Sequence, residues 1–135
     1  MVQVVKSLLA LAAVCVASLA FAENQDCDTL QKCQEALKAN TKSSLAHFRI
    51  GEIFFKEGNY QSAANEFRLS LGGDGDPKWT EVWAHINLGK IFDITRQRNR
   101  AVNEYKAAQR TGDDTRGAQA EAAKYIETPF TRDQE

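Results

Sequence analysis

From Leu45 to Gln109 the chain states one pattern twice. The first copy reads His47-x-x-Ile50-Gly51-x-x-Phe54 and then Ala63-x-x-x-Phe67, and the second reads His85-x-x-Leu88-Gly89-x-x-Phe92 and then Ala101-x-x-x-Tyr105. Every position is displaced by 38 residues, and Ile53/Ile91, Asn65/Asn103 and Glu66/Glu104 recur at that offset too. A fixed period of this size marks stacked helix-turn-helix units, none of which can hide its apolar face alone. The repeat therefore restricts the chain to consecutive helix pairs laid against one another.

Within each copy the apolar residues fall three and four apart, with Phe48, Ile50, Ile53 and Phe54 in one helix and Ile86, Leu88, Ile91 and Phe92 in its counterpart. Gly51 and Gly89 sit in mid-helix, where glycine costs about 1 kcal/mol against alanine and needs a packing reason. The expected reason is close approach of the second helix, with small Ala63 or Ala101 facing the glycine and Phe67 or Tyr105 filling the gap beside it. Gly58-Asn59 supplies left-handed turn residues in copy one, whereas Arg96-Gln97 stands at that place in copy two and marks a weaker helix break.

The pair of copies resembles the tetratricopeptide repeat, whose signature is Trp-x-x-Leu-Gly-x-x-Tyr, then Ala-x-x-x-Phe and a Pro. Three departures stand out. His replaces Trp in both copies, the Pro is displaced to Pro77 and missing after copy two, and the period exceeds the family's repeat of about 34. The resemblance implies an all-α fold, a superhelix of antiparallel helix pairs. Its parts would be a half-repeat helix over 28–39, repeat 1 over 44–76, repeat 2 over 82–112, a capping helix over 116–127 and a flexible tail over 128–135. It also implies a concave groove lined by the first helices of the pairs. The groove floor would carry Phe48, Glu52 and Phe55, then Ile86, Lys90 and Asp93, with Leu45 and Trp83 at the rim. The alternative for each groove aromatic is packing against the neighbouring helix or covering an end of the stack. Some members clamp a C-terminal carboxylate with basic and Asn residues; Lys90 and Asn87 alone do not support that specialisation.

The first 22 residues are different in kind. Lys6 is the one charge before Glu23, Ser7 to Ala22 is apolar, and Ala20-Phe21-Ala22 offers the small-x-small pattern of a cleavage site. Residues 1–22 read as a secretory signal. The alternatives are an uncleaved anchor, for which the run is short of the roughly 20 apolar residues of a membrane span, and lipid attachment at Cys15, for which Val14 is a bulky neighbour. With Lys6 removed, the 17 basic and 18 acidic residues leave a net charge of −2, which lacks the basic excess of a nucleic-acid binder.

Cys27 and Cys33 remain near the new N-terminus. Asp28-Thr29-Leu30-Gln31 reads as an N-cap with Gln three residues on, placing the two thiols close enough for a bridge in an oxidising compartment. Two unpaired thiols are the alternative; a metal site there lacks further ligands. Between the copies, Gly72 to Pro77 reads as a flexible connector leading into the next helix. Asp74, Asp76 and Glu81 do not meet the calcium-loop spacing, since Lys78 stands where a ligand is needed.

Catalytic signatures are missing: there is no Gly-x-Ser-x-Gly, no phosphate-cradling loop and no His-Glu-x-x-His. His47 and His85 read as structural residues with one ring nitrogen hydrogen-bonded, and Arg96, Arg98 and Arg100 as a solvated turn. The expected role is a non-catalytic, exported interaction module that needs no cofactor and binds a peptide or helix of a partner protein. The alternatives are a self-associating structural unit and a metal- or cofactor-binding protein using His47 and His85.

Overall fold

The computed structural model describes residues 26–134, in which every regular element is helical. The expected signal over 1–22, with Cys15, lies outside these residues, as does Glu135. In chain order the helices are α1 (Leu30–Ala39), α2 (Ser44–Lys56), α3 (Tyr60–Leu71), α4 (Trp79–Ile94), α5 (Arg98–Thr111) and α6 (Ala118–Glu127). Short 3-10 turns at Thr115–Gly117 and Arg132–Gln134 flank α6. Among the described residues, no helix is long and apolar enough to cross a membrane.

The 38-residue offset reappears as geometry. Helix α2 ends at Lys56 and α4 at Ile94, while α3 begins at Tyr60 and α5 at Arg98. Each pair is joined by a tight turn, so α2 folds back on α3 and α4 on α5, and the two pairs meet where α3 packs on α4. Helix α6 then lies against both α5 and α4. One continuous core runs from Phe48 through Phe67, Ile86, Leu88, Phe92 and Tyr105 to Tyr125 and Phe130. Ile50 belongs with Cys27, Cys33 and Ala46 to a second cluster under α1.

The glycines have a packing role, though not the expected one. Gly51 faces the Phe67 ring itself: a Cβ there would fall 2.8 Å from Cε1. Gly89 faces the Tyr105 ring, with a Cβ 2.7 Å from Cδ1 and nearer still to Cε1. The large residue of the second helix, not the small alanine, occupies the notch. Ala63 and Ala101 are fully buried.

Turn chemistry separates the copies. Gly58 is left-handed (φ 76°), but Asn59 is not; it caps α3, its side chain accepting from the Ser62 amide. In copy two Arg96 takes the left-handed position at φ 60°, and Gln97 provides no side-chain cap. The break therefore occurs at the expected place with residues poorly suited to it.

At the N-terminus Thr29, rather than Asp28, caps α1 by accepting from Lys32. Asp28 instead pairs with the Lys32 ammonium. Cys27 and Cys33 are joined in a disulfide, which sits against Ala46 and Ile50 and seats α1 on α2. The Gly72–Pro77 connector is tied down rather than flexible. Asp74 accepts from the Ser44 and Asp76 amides and from Asn40 Nδ2, and the Gly75 amide donates to Ser44 Oγ.

Candidate functional site

Helices α2, α4 and α6 lie side by side, α4 touching both of the others. Most of the expected groove floor is consumed by this packing. Phe48, 2% exposed, stands edge-on to Phe67 at 5.5 Å and to Trp79 at 5.2 Å. Ile86 is fully buried, Leu45 is buried rather than at a rim, and Phe55 packs edge-on against Tyr60. The physical reason is that α4 starts at Trp79, three residues before the repeat equivalent of Ser44, and the extra turn lays an indole over Phe48. Of the expected set, Glu52, Trp83 and Asp93 stay partly accessible, Asp93 not through its side chain, which is 1% exposed.

Around Glu52 and Trp83, the surface has a composition that no local sequence pattern marks. Trp79 is half-buried with two guanidinium groups over its ring, Arg49 at 5.4 Å and Arg116 at 4.8 Å from the centroid. Trp83 donates through Nε1 to the Thr115 carbonyl at 3.0 Å. Arg49 holds Asp26 through two bonds of 2.7 Å and Glu52 through one of 2.8 Å. That fork lowers the Asp26 carboxyl below its ordinary value, and the same carboxylate bonds raise Arg49. An open cavity of about 470 Å³ lies alongside, bounded by Asp26, Lys32, Arg49, Glu52, Ile53 and Lys56.

The other end of the row is built around Asp93, whose side chain is 1% exposed. Its oxygens accept from Tyr105 Oη at 2.9 Å, from Arg98 Nη1 at 3.1 Å and from the Phe130 amide at 2.9 Å. Burial, reinforced by Asp93, raises Tyr105 far above the usual phenol range. Arg98 also donates to the Tyr125 and Ile126 carbonyls, closing the C-terminus of α6. Lys90, 9% exposed, lies 3.7 Å from Glu121 and 4.9 Å from the Phe130 ring centroid. Asp93 and Lys90 are thus structural neighbours of the tail rather than open groove floor.

The tail itself departs from expectation. Phe130 is 2% exposed and part of the main core, so residues 128–135 do not begin as a flexible extension. The available signal was an aromatic after Pro129 in an otherwise polar stretch. The arginine cluster also resolves into distinct roles: Arg98 clamps α6, Arg100 stacks over Phe92 at 4.0 Å, and Arg96 makes the turn.

The two histidines repeat as pairs with glutamate. His47 Nδ1 bonds Glu66 at 2.7 Å and His85 Nδ1 bonds Glu104 at 2.7 Å, each pair joining the first helix of its unit to the second. His47 Nε2 also reaches the Thr41 carbonyl at 3.3 Å. Its pKa is raised, chiefly by the Glu66 hydrogen bond, against an opposing effect of burial. Each imidazole is engaged with the glutamate of its own repeat, and among the described residues no group of three His, Cys, Asp or Glu side chains could hold a metal ion.

Comparison with known proteins found no family model, no curated protein and no solved structure that matches this chain.

Proposed function

We propose that this chain is a non-catalytic interaction module, built from tetratricopeptide-like helix pairs and working after export, that holds a segment of another protein against the open end of the α2–α4–α6 row. The observation that carries this reading is the partly buried pair Trp79 and Trp83, with the Arg49 and Arg116 guanidinium groups over the Trp79 ring and Glu52 bonded to Arg49. Tryptophan and arginine are enriched among the few residues that dominate binding energy in protein interfaces, because both bury large surfaces while keeping a polar edge. The charged neighbours already balance one another, which favours a neutral or mixed polypeptide over a strongly charged ligand. The disulfide suits an oxidising compartment.

Site-specific photocrosslinking tests this. A crosslinking residue at Trp83, in the chain expressed in its own compartment, should yield a discrete protein adduct that the same residue at Leu69 does not. Leu69 is 51% exposed on α3 and reports nonspecific capture. Arg49→Glu should abolish the adduct with helicity unchanged; equal labelling at both positions would refute the surface.

A further inference from the structure

Nothing in the repeat requires a segment after α6, yet the one here is held as a groove holds a peptide. Its backbone is non-helical from Thr128 to Thr131, and Thr128, Pro129 and Thr131 are exposed while Phe130 is buried between them. The Phe130 ring enters a slot formed by Phe55 at 6.4 Å, Tyr125 edge-on at 5.3 Å and the Lys90 ammonium at 4.9 Å. Its amide donates to Asp93. Two residues on, the Arg132 guanidinium lies over the Tyr60 ring at 5.6 Å and reaches the Lys56 carbonyl at 3.4 Å. One anchoring ring, one main-chain bond and a second contact two residues later are the means by which a receptor reads a short peptide segment.

The fit is imperfect at one point. Tyr60 Oη is buried and has no hydrogen-bond partner, although Tyr60 packs on Phe55 and lies under Arg132. A buried hydroxyl left unpaired costs free energy in the folded chain.

We propose that the slot of Phe55, Lys90, Asp93 and Tyr125 is a binding site for a polypeptide segment carrying Phe with Arg two residues later. The Pro129-to-Arg132 stretch is the resident copy of that ligand, displaced when an outside segment binds. This rests on the interaction reading above only in taking the α2–α4–α6 row as the receptor face. Because just Thr128 and Pro129 separate Phe130 from the end of α6, the resident segment acts at an effective concentration in the roughly millimolar range. It therefore shields the slot from weak competitors. The ammonium of Lys90 over the ring makes the slot prefer an aromatic anchor to an aliphatic one.

The test uses the full chain and a fluorescent peptide with the sequence of residues 127–133, followed by anisotropy. The peptide should bind the Phe130→Ala chain about tenfold or more tightly than the wild-type chain, as expected when a tethered competitor is removed. A peptide with Phe130→Ala should not bind, and one with Phe130→Leu should bind roughly fivefold more weakly. A Phe130→Ala chain that keeps its helicity and cooperative melting but takes up no peptide overturns the proposal. Should that chain fail to fold, amide exchange in the wild type decides. Exchange of the Phe130 amide about a hundredfold faster than those of Leu88 and Tyr105 supports a displaceable segment, and exchange together with them makes the tail a core element and overturns it. A concentration-dependent wild-type dimer that disappears in Phe130→Ala would assign the slot to a second copy's tail and reject the foreign segment. Loss of the Trp83 adduct leaves the peptide result standing, and the reverse holds equally.

Discussion

Tyr105 lies so close against Gly89 that a single methyl group on the glycine would fall within 2.7 Å of its ring, and Phe67 stands in the same relation to Gly51 one repeat earlier. Two effects oppose each other on substitution. Alanine in a helix interior is favoured over glycine by about 1 kcal/mol, while forcing a methyl into a packed ring costs about 1 to 3 kcal/mol. Tyr105 is fully buried and tied to Asp93, so its ring cannot swing away without losing that bond. The net of the two is about 0 to 2 kcal/mol, and Gly89→Ala is expected to destabilise toward the upper end, measured by urea unfolding, and Gly51→Ala by no more than that. A stabilising Gly89→Ala would show that the ring yields freely.

Arg96 is expected to be a weak point that can be repaired from the other copy. Its φ of 60° falls where a side chain is strained, and a non-glycine residue there costs about 1 to 2 kcal/mol. Part of the gain from glycine is returned through the looser unfolded chain. Arg96→Gly is expected to raise stability by about 0.5 to 1 kcal/mol. Gln97→Asn, which copies the Asn59 cap, should add about 0.5 to 1 kcal/mol. Thermal melts of the single and double variants check both, and Arg96→Ala, which keeps a Cβ at the left-handed position, should not raise stability as Arg96→Gly does.

His47 and Asp26 give opposite pH signatures. The His47 pKa is raised above its ordinary 6.5, with Glu66 the main cause. Its contribution to stability is therefore complete below about 6.5 and lost as pH rises through the higher folded value. Asp26 is lowered below 3.8 by Arg49, so its contribution is present above that value and lost as pH falls through the lower folded one. An NMR titration of the His47 ring should show a midpoint above 6.5, and Glu66→Gln should bring it down. No movement on Glu66→Gln would remove the glutamate as the cause.

Reduction of Cys27–Cys33 is expected to act locally. Helix α1 buries Cys33 alone among its residues, and the disulfide supplies two of the four members of the cluster under it. With a sequence separation of 6, loss of the crosslink should lower stability by about 2 kcal/mol. Amide exchange should quicken over Leu30–Ala39 in a Cys27→Ser, Cys33→Ser chain, while α4 and α5 keep their protection. Uniform loss across all helices would mean that α1 is integral to the whole stack.

The elements most legible in the sequence were those stated twice. The ends of α2 and α4 and the starts of α3 and α5 obey the offset because the same local choices were made at equivalent positions. The sequence implies the glycine notch but not its occupant: alanine and aromatic lie four apart on one face, and which of them meets the glycine depends on interhelix tilt. The site was read least well. Trp79 covers Phe48 because α4 gains a turn that the repeat does not specify. The fate of Phe130 depends on Phe55, Lys90, Asp93 and Tyr125, drawn from three helices far apart in the chain. No local pattern encodes such a convergence.

The bond from Arg132 to the Lys56 carbonyl spans 76 residues, whereas the glycine-to-ring contacts within each pair span 16. Short-range links close quickly and cheaply, while long ones wait until the intervening chain is ordered. The α2–α3 and α4–α5 hairpins should thus form from local contacts, and the C-terminal clasp can fasten only on a stack whose helices already stand together, so it reports the completed fold.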